Sequence, residues 1–358
     1  MSSQTIISVD VMGGDTGPEP MLAGLNRAAK EDPSLRFLLH GKEADIAALL
    51  PRKKYLKDRV EIFHTDDVVG MSEKPSKALR TGRNSSLWRA LESVKSGDAR
   101  VALSAGNTGA IVAMSTLVLR KAPAVDRAAI AVHWPAKRPE GYNVVLDMGA
   151  DVRADVRNLV QFSIMGAEYS RLAFGISRPR VGLLNVGSEE MKGRPELQTA
   201  RTQLDALTKS EDTGFDFIGF VEGPDILSDR VDVIVTDGFT GNIAMKASEG
   251  TAAFIRSALK HAFEHSVWSR FGALFALTSL RRLKARIDPR RVNGGVFLGL
   301  NGGVVKSHGS ADAVGHASAC GLAAKMATDD FSALVARQLA KLDVESISGS
   351  TGAESGMK

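Results

Sequence analysis

Short apolar runs rich in β-branched residues alternate with stretches of helical periodicity along most of the chain. The apolar runs predict β-strands at residues 5–9, 37–40, 61–64, 101–103, 130–133, 144–147, 181–185, 217–221 and 232–236. The stretches with apolar positions on one helical face predict helices at residues 19–30, 87–95, 108–121, 156–174 and 196–207. Because strands that alternate with helices are typical of βαβ units, the pattern predicts an α/β fold with a mainly parallel sheet and helices on both faces.

Length and composition are those of an ordinary globular protein. The 358 residues are 44% hydrophobic and 24% charged, which excludes a wholly disordered or fibrous chain. We expect one large α/β domain over residues 1–343, undivided or in two lobes, and a Ser/Gly-rich disordered tail over residues 344–358. The chain has one cysteine, no secretion signal and no apolar run of 18 residues, so we expect a cytoplasmic protein that does not cross a membrane.

Positive charge is concentrated in one segment. Residues 252–291 hold nine lysines and arginines against two acidic residues, a charge of +7, whereas the whole chain has a charge of +5. The segment predicts a basic, amphipathic helical insertion, and its long apolar side is too short to span a bilayer of about 30 Å. We expect it to contact an anionic membrane surface, an acidic protein, a dimer partner or more than one of these. The contact residues we expect are Trp268, Phe271, Leu274, Phe275, Arg281 and Arg282.

Five strand ends carry the same kind of polar, glycine-containing turn. They are VDVMGGD (9–15), LSAGNTG (103–109), LDMGAD (146–151), LNVGSEE (184–190) and VTDGFTGN (235–242). The carboxyl ends of parallel strands form a ligand-binding crevice, and the helix N-termini that follow such turns offer free N–H groups to an anion. The five turns therefore favour one shared crevice for an anionic ligand.

Motifs of several enzyme classes are absent from the sequence. The chain has no G-x-G-x-x-G, no P-loop and no G-x-S-x-G, which argues against nicotinamide enzymes, P-loop ATPases and α/β serine hydrolases. Residues 261–265, HAFEH, match the H-x-x-E-H zinc signature, but both histidines fall on the polar face of an amphipathic helix beside cations. We therefore expect no zinc site, and the sequence leaves open whether the crevice carboxylates bind Mg²⁺.

Together the motifs resemble the bacterial phosphate acyltransferases, the PlsX-type acyl-ACP:phosphate transacylases. Beyond the five turns, the matching stretches are MSEKPSKALRTGRNSSL (71–87), LVQFSIMG (159–166), FVEGPDI (220–226) and VNGGVFLGLNGGVVKSHGSADA (292–313). The resemblance runs in the family's order from about residue 5 to residue 340. Three positions depart from the expected pattern: Asp151 stands where Asn is expected, Gly82 where a basic residue is common and Gly303 where Pro is usual. Asp151 adds negative charge to a crevice meant for phosphate.

The resemblance implies transfer of a long-chain fatty acyl group from acyl carrier protein to inorganic phosphate. The product, acyl-phosphate, would feed phospholipid synthesis through a membrane-bound glycerol-3-phosphate acyltransferase. The resemblance also implies a homodimer without a tightly bound cofactor and a fold like those of isocitrate and isopropylmalate dehydrogenases and phosphate acetyltransferase. We therefore expect a cytoplasmic protein that associates peripherally with the inner face of the cell membrane and binds no nucleic acid.

The implied chemistry selects a small set of candidate residues. Phosphate is already a nucleophile at neutral pH, so the reaction needs positioning of phosphate and donors for the tetrahedral oxyanion. Lys192 offers a positive charge and Asn242 a neutral N–H donor, and the resemblance points to both; a solvated lysine and a plain helix cap are the alternatives. His308 is a candidate to protonate the leaving thiolate, or else an ordinary capping residue. Further candidates for binding phosphate or substrate are Asp10, Gly13, Gly14, Asp15, Ser104, Asn107, Thr108, Asp147, Glu189, Asp237 and Ser307.

Other function classes remain open at this stage. One is a short-chain phosphate acyltransferase that uses acyl-CoA, and another is a non-catalytic scaffold at the membrane surface. A metal-dependent β-decarboxylating dehydrogenase is the least favoured, because the fold would allow it but the cofactor signature is missing.

Overall fold

One sheet runs through the part of the chain that the computed structural model describes, which is residues 4–341 except 140, 211, 267, 270, 271, 273, 274, 280–293, 329 and 330. Its strands are β1 (Thr5–Asp10), β2 (Leu35–Gly41), β3 (Val60–His64), β4 (Val101–Ser104), β5 (Ala129–Pro135), β6 (Tyr142–Leu146), β7 (Arg180–Leu184), β8 (Asp216–Val221), β9 (Val233–Val235), β10 (Gly295–Leu298) and β11 (Gly303–Lys306). The α-helices are α1 (Pro18–Glu31), α2 (Glu43–Leu49), α3 (Pro75–Thr81), α4 (Ser86–Ser96), α5 (Thr108–Leu119), α6 (Val156–Phe174), α7 (Pro195–Ser210), α8 (Gly238–Glu264), α9 (Ala313–Thr328) and α10 (Phe331–Lys341).

The predicted strands and helices are all present. Their ends agree with the structure within three residues, because each apolar run is long enough to mark its own element. The prediction missed β10 and β11, which have four residues each and begin with glycine. Glycine has a low strand propensity, and a run of four residues is too short to show the alternation of apolar and polar positions that predicts a strand.

The sheet consists of two parallel halves that run in opposite directions. Its strand order is β3-β2-β1-β4-β11-β10-β5-β6-β9-β7-β8. Pairing is parallel from β3 to β11 and again from β6 to β8, whereas β10 pairs antiparallel with β11 and β5, and β5 pairs antiparallel with β6. The prediction of a mainly parallel sheet is therefore confirmed.

This change of direction separates the strand ends. The carboxyl ends of β1, β4 and β11 (Asp10, Ser104 and Lys306) lie at one edge, which we call the first edge. The carboxyl ends of β6, β9 and β7 (Leu146, Val235 and Leu184) lie at the opposite edge, which we call the second edge.

Helices cover both faces of the sheet, as the sequence predicts. One buried apolar layer joins the sheet to α1, α6, α7 and α9, and the other joins it to α3, α4 and α5. Packing between α1 and α9 is especially close, because a Cβ on Gly24 would lie 2.4 Å from the Cβ of His316. The buried side chains of these helices therefore cover both faces of the sheet.

The basic segment predicted over residues 252–291 begins inside α8. That part of α8 is helical and largely exposed, and its apolar residues Phe254, Ile255 and Leu259 are not covered by the described chain. Trp268 and Phe275 are 85% and 91% exposed. Phe271, Leu274, Arg281, Arg282 and the predicted tail over 344–358 lie outside the described residues. Among the described helices, none has the length and hydropathy needed to cross a membrane.

Candidate active site

The N-terminus of α8 packs directly on the turn that follows β6, at the second edge. Asp237 caps this helix, and its carboxylate accepts a hydrogen bond of 2.9 Å from the backbone N–H of Thr240. A Cβ on Gly238 would lie 2.1 Å from the backbone oxygen of Asp151, and one on Gly241 would lie 2.0 Å from that of Asp147. Only glycine at these positions lets the helix start so close to the turn.

Asp147 holds the turn after β6 in shape. The buried carboxylate accepts hydrogen bonds from the backbone N–H groups of Ile130, Gly149, Ala150 and Asp151, at 2.9 to 3.1 Å. Burial raises the pKa of Asp147 to about 6, although these hydrogen bonds act in the opposite direction. Its oxygens are engaged by the backbone, so Asp147 shapes the turn rather than pointing a free carboxylate at a ligand.

Asn242 lies one helical turn into α8, beside the turn after β6. A Cβ on Gly149 would lie 3.6 Å from the Cβ of Asn242. Together with Phe239 and neighbouring residues they line a cavity of about 220 Å³. The first N–H groups of α8 have no partner within the helix, and the Asn242 amide adds a neutral donor. This arrangement suits an anion or a developing oxyanion.

Lys192 belongs to the loop after β7, at the same edge. Its ammonium donates a hydrogen bond of 2.7 Å to the carboxylate of Glu189, and both side chains are more than half exposed. This hydrogen bond raises the pKa of Lys192 above its ordinary value, so the side chain is a cation at neutral pH rather than a base. The amide of Asn185 holds the loop by donating to the backbone oxygen of Lys192 at 3.0 Å.

An ion pair connects the Lys192 loop to the helix that carries Asn242. The guanidinium of Arg194 donates to the Asp237 carboxylate, which is the cap of α8. Burial opposes the charge of Asp237, but the hydrogen bonds from Thr240 and Arg194 outweigh it and lower the pKa of this carboxyl. Sequence reasoning missed Arg194, because its partner lies 43 residues away.

The first edge holds a second group of the predicted residues. The hydroxyl of Ser104 donates to the buried carboxylate of Asp10 at 2.7 Å, and the N–H of Gly13 donates to the same carboxylate at 3.1 Å. Burial raises the pKa of Asp10 above its ordinary value, against the effect of these hydrogen bonds. The backbone N–H of Asp15, after Gly14, donates to the backbone oxygen of Gly309 at 2.9 Å, so the turns after β1 and β11 are in contact.

The other predicted residues of the first edge make local contacts. Asn107 caps α5 ahead of Thr108 by accepting from the N–H of Ala110 at 3.0 Å, and its amide donates to the backbone oxygen of Met71 at 2.6 Å. The buried hydroxyl of Ser307 is 2.8 Å from His316 Nδ1. His308 is exposed, with Nδ1 3.0 Å from the hydroxyl of Ser310.

Sequence reasoning also missed Lys306, at the end of β11. Its ammonium donates to the backbone oxygen of Ser307 at 3.2 Å, and burial lowers its pKa while the carboxylates of Asp15 and Glu249 act in the opposite direction. Glu249 belongs to α8, so this helix begins at the second edge and reaches Lys306 at the first. A lysine that ends an apolar run and precedes Ser-His-Gly was the signal available in the sequence.

The structure divides the candidates between two sets of strand ends, and the expectation of one shared crevice stays a prediction. Lys192, Asn242, Asp147, Glu189 and Asp237 gather at the second edge, whereas the remaining candidates gather at the first. The antiparallel pairing of β10 and β5 with their neighbours turns half of the sheet around, and the two sets of strand ends therefore face opposite ways. Among the described residues, no three His, Cys, Asp or Glu side chains are grouped to hold a metal ion.

Comparison with known proteins agrees with this fold and with the motifs. The model of a family described as fatty acid synthesis protein matches residues 5–334. The chain is 53% identical to the phosphate acyltransferase of Jannaschia sp. (strain CCS1) over 339 residues, which are 95% of this chain and 92% of that protein. It is 52% identical to the phosphate acyltransferase of Dinoroseobacter shibae over 350 residues, which are 98% of this chain and 90% of that protein.

Solved structures show the same fold at low sequence identity. A phosphotransacetylase from Streptococcus pyogenes has a TM-score of 0.58 and 15% identity, with 91% of this chain and 94% of that chain covered. The EutD phosphotransacetylase from Staphylococcus aureus has a TM-score of 0.56 and 14% identity, with 90% and 94% covered. Since the family model and the curated relatives span nearly the whole chain, this protein belongs to the phosphate acyltransferase family.

Proposed function

We propose that this protein transfers a long-chain fatty acyl group from acyl carrier protein to inorganic phosphate, giving acyl-phosphate for phospholipid synthesis. The observation that carries the proposal is an identity of 52–53% with phosphate acyltransferases over at least 95% of the chain. In the reaction, a phosphate oxygen forms a bond to the thioester carbon and the C–S bond then breaks. The leaving thiolate finally takes up a proton.

We place this chemistry at the second edge. Asn242 and the first N–H groups of α8 line one cavity, and these donors suit the negative charge that develops on the carbonyl oxygen. Lys192 adds a cation from the neighbouring loop, whose position is tied to α8 through the Arg194–Asp237 pair. In this role the Lys192 ammonium has to share its hydrogen bonds between Glu189 and phosphate.

His308 follows β11 at the first edge, whereas Lys192 and Asn242 lie at the second. We therefore propose that the thiolate, with an ordinary pKa of about 8.5, takes its proton from solvent or from a group of a partner chain. The first-edge residues remain candidates for holding another part of the substrate.

The decisive experiment measures release of free carrier protein from palmitoyl-carrier protein with and without phosphate. Release that depends on phosphate and yields acyl-phosphate is the expected result. Equal activity with acetyl-CoA would indicate a short-chain enzyme instead, and the absence of turnover under all conditions would favour a scaffold.

We further propose that the exposed apolar end of α8 and the helical residues beyond it contact an anionic membrane. Trp268 and Phe275 are almost fully exposed in the chain, and Phe254 is 72% exposed. Aromatic residues beside basic ones are typical of helices that lie in the membrane interface. A homodimer that covers part of the same surface would be compatible with this proposal.

The test compares W268E/F275E with L117E, which places one glutamate on a half-exposed leucine of α5. We expect the double variant to lose sedimentation with anionic vesicles and L117E to keep it. A double variant that stays active and fully vesicle-bound would contradict membrane contact. A double variant that loses its dimeric state would show that these residues pack against a partner chain.

A further inference from the structure

An ion pair joins two segments at the rim of the cavity beside Asn242. Arg127 lies in the turn before β5, and its guanidinium Nη1 donates to Oδ2 of Asp151. The two side chains are 46% and 37% exposed. Asp151 itself lines the cavity together with Asn242. The pair is therefore next to the place where the proposed function puts phosphate.

Each oxygen of the Asp151 carboxylate accepts one hydrogen bond, whereas most N–H donors of the Arg127 guanidinium have no acceptor in the part of the chain that the structure describes. Oδ1 of Asp151 accepts from the N–H of Val152 at 2.7 Å, and Oδ2 accepts from Arg127. Within the described residues, Arg127 makes no other side-chain hydrogen bond. A guanidinium has five N–H donors in a fixed fork, so about four of them stay open. Such a fork matches the oxygens of a phosphate group.

The charge of this rim depends on both partners. Asp151 stands where the family resemblance leads one to expect Asn, and a lone carboxylate here would repel an incoming phosphate dianion. Arg127 cancels that charge, and its side chain is 46% exposed.

We propose that Arg127 is a further phosphate-binding residue of this protein, and that Asp151 holds it at the cavity beside Asn242. The inference rests on the proposed function for the identity of the anion. Asp151 acts through Arg127 and is therefore a positioning residue. The alternative is that the pair only ties the turn before β5 to the turn after β6.

The chain offers a matched control for that alternative. The residue before Arg127 in the same turn, Asp126, pairs with Arg157 at 2.7 Å between Oδ2 and Nε, and these side chains are 38% and 30% exposed. Arg157 stands at the start of α6 and does not line the cavity. Replacing Arg157 by Gln removes a similar ion pair at the same edge without changing the charge at the rim.

The experiment measures the KM for phosphate in R127Q, D151N, the double variant and R157Q. We expect R127Q to raise this KM about threefold to tenfold, with kcat within about twofold of the parent value. D151N removes the residue that holds Arg127 and should raise the KM less than R127Q does. The double variant should keep a raised KM, because the guanidinium is absent even though the net charge of the rim is restored; a double variant with the parent KM would show that Arg127 only cancels the charge of Asp151. The differences should shrink at high salt, since the rim is half exposed.

A second readout does not need turnover. Phosphate that binds the folded chain raises its melting temperature, and more so the tighter it binds at a given concentration, so we expect this shift to fall in the variants whose KM rises. Equal KM values for phosphate in R127Q and the parent, or a rise in KM for R157Q equal to that for R127Q, would overturn the inference. The ion pair would then only join the two turns. If the parent protein shows no phosphate-dependent transfer, the proposed function fails; the order of the melting shifts then still decides whether Arg127 belongs to an anion site.

Discussion

A single added methyl group at Gly238 should displace Asn242 and so lower the activity of the proposed site at the second edge. Gly238 is the first residue of α8, and a Cβ there would lie 2.1 Å from the backbone oxygen of Asp151 and 2.5 Å from Oδ2 of Asp147. Neither atom can move freely, because one belongs to the backbone and the other belongs to a carboxylate that holds its own turn. In Gly238→Ala the start of α8 must therefore retreat from the turn.

The size of the retreat follows from the contact distances. Restoring an ordinary contact of 3.4 Å to the Asp151 oxygen needs a shift of roughly 1.3 Å. Overpacking of this kind costs about 1–3 kcal/mol of unfolding free energy. Asn242 lies on the same helix one turn later and moves with it, and a misplacement of about 1 Å at a reacting centre lowers the rate about 100-fold. We expect a loss of rate equivalent to about 2.7 kcal/mol of activation free energy, in a chain that remains folded.

The control is Gly250→Ala on the same helix, where no atom lies within 4 Å of the added Cβ. This variant should gain about 0.5–1 kcal/mol, because glycine is unfavourable in a helix interior. Urea titrations would give the free energies of unfolding, and phosphate-dependent release of carrier protein would give kcat. If Gly238→Ala keeps the parent kcat, then Asn242 does not act from the position that the structure gives it.

Further variants test the charges and donors of the same edge. Lys192→Met and Asn242→Ala should each lower kcat about 10²- to 10³-fold with little change in melting temperature; near-normal phosphate-dependent turnover would reject the assignment. The pKa of Asp147 in the folded chain, about 6, lies above its ordinary value of 3.8, so the folded chain takes up a proton between these values. This contribution to stability, up to about 3 kcal/mol, is present below pH 4 and lost as the pH rises through 6; urea titrations from pH 4 to 7 should show a slope that Asp147→Asn removes. If the basic residues over 281–291 attract acyl carrier protein, its KM should rise with ionic strength, and a KM that stays flat would argue against that contact.

The elements of the second edge were predictable because their signals are local. Asp237 before a glycine and a helical pattern marks the N-terminus of α8, and the structure has the helix begin there with Asp237 as its cap. The roles of Lys192 and Asn242 came from the motif resemblance, and the structure adds the cavity and the loop that place them at one edge.

Contacts between distant segments could not be predicted in the same way. Arg127 and Asp151 are 24 residues apart, and Arg194 and Asp237 are 43 residues apart. From the sequence alone, an arginine in a loop is predicted to be solvated, since most exposed charges have no specific partner. The sequence therefore predicts the turns but not the ion pairs that lock them together.

The reversal of the sheet, in contrast, was readable from the sequence. A parallel crossover needs a connection of a dozen or more residues, usually with a helix, whereas antiparallel neighbours need only a short turn. The predicted strands 130–133 and 144–147 are separated by ten residues that contain two prolines and a glycine and no helical periodicity. These strands had to be antiparallel if they were neighbours, and the structure pairs them that way with a connection of residues 136–141. The strands β6, β9 and β7 therefore run opposite to β1, β4 and β11, and Lys192 and Asn242 follow the former set whereas Asn107 follows β4.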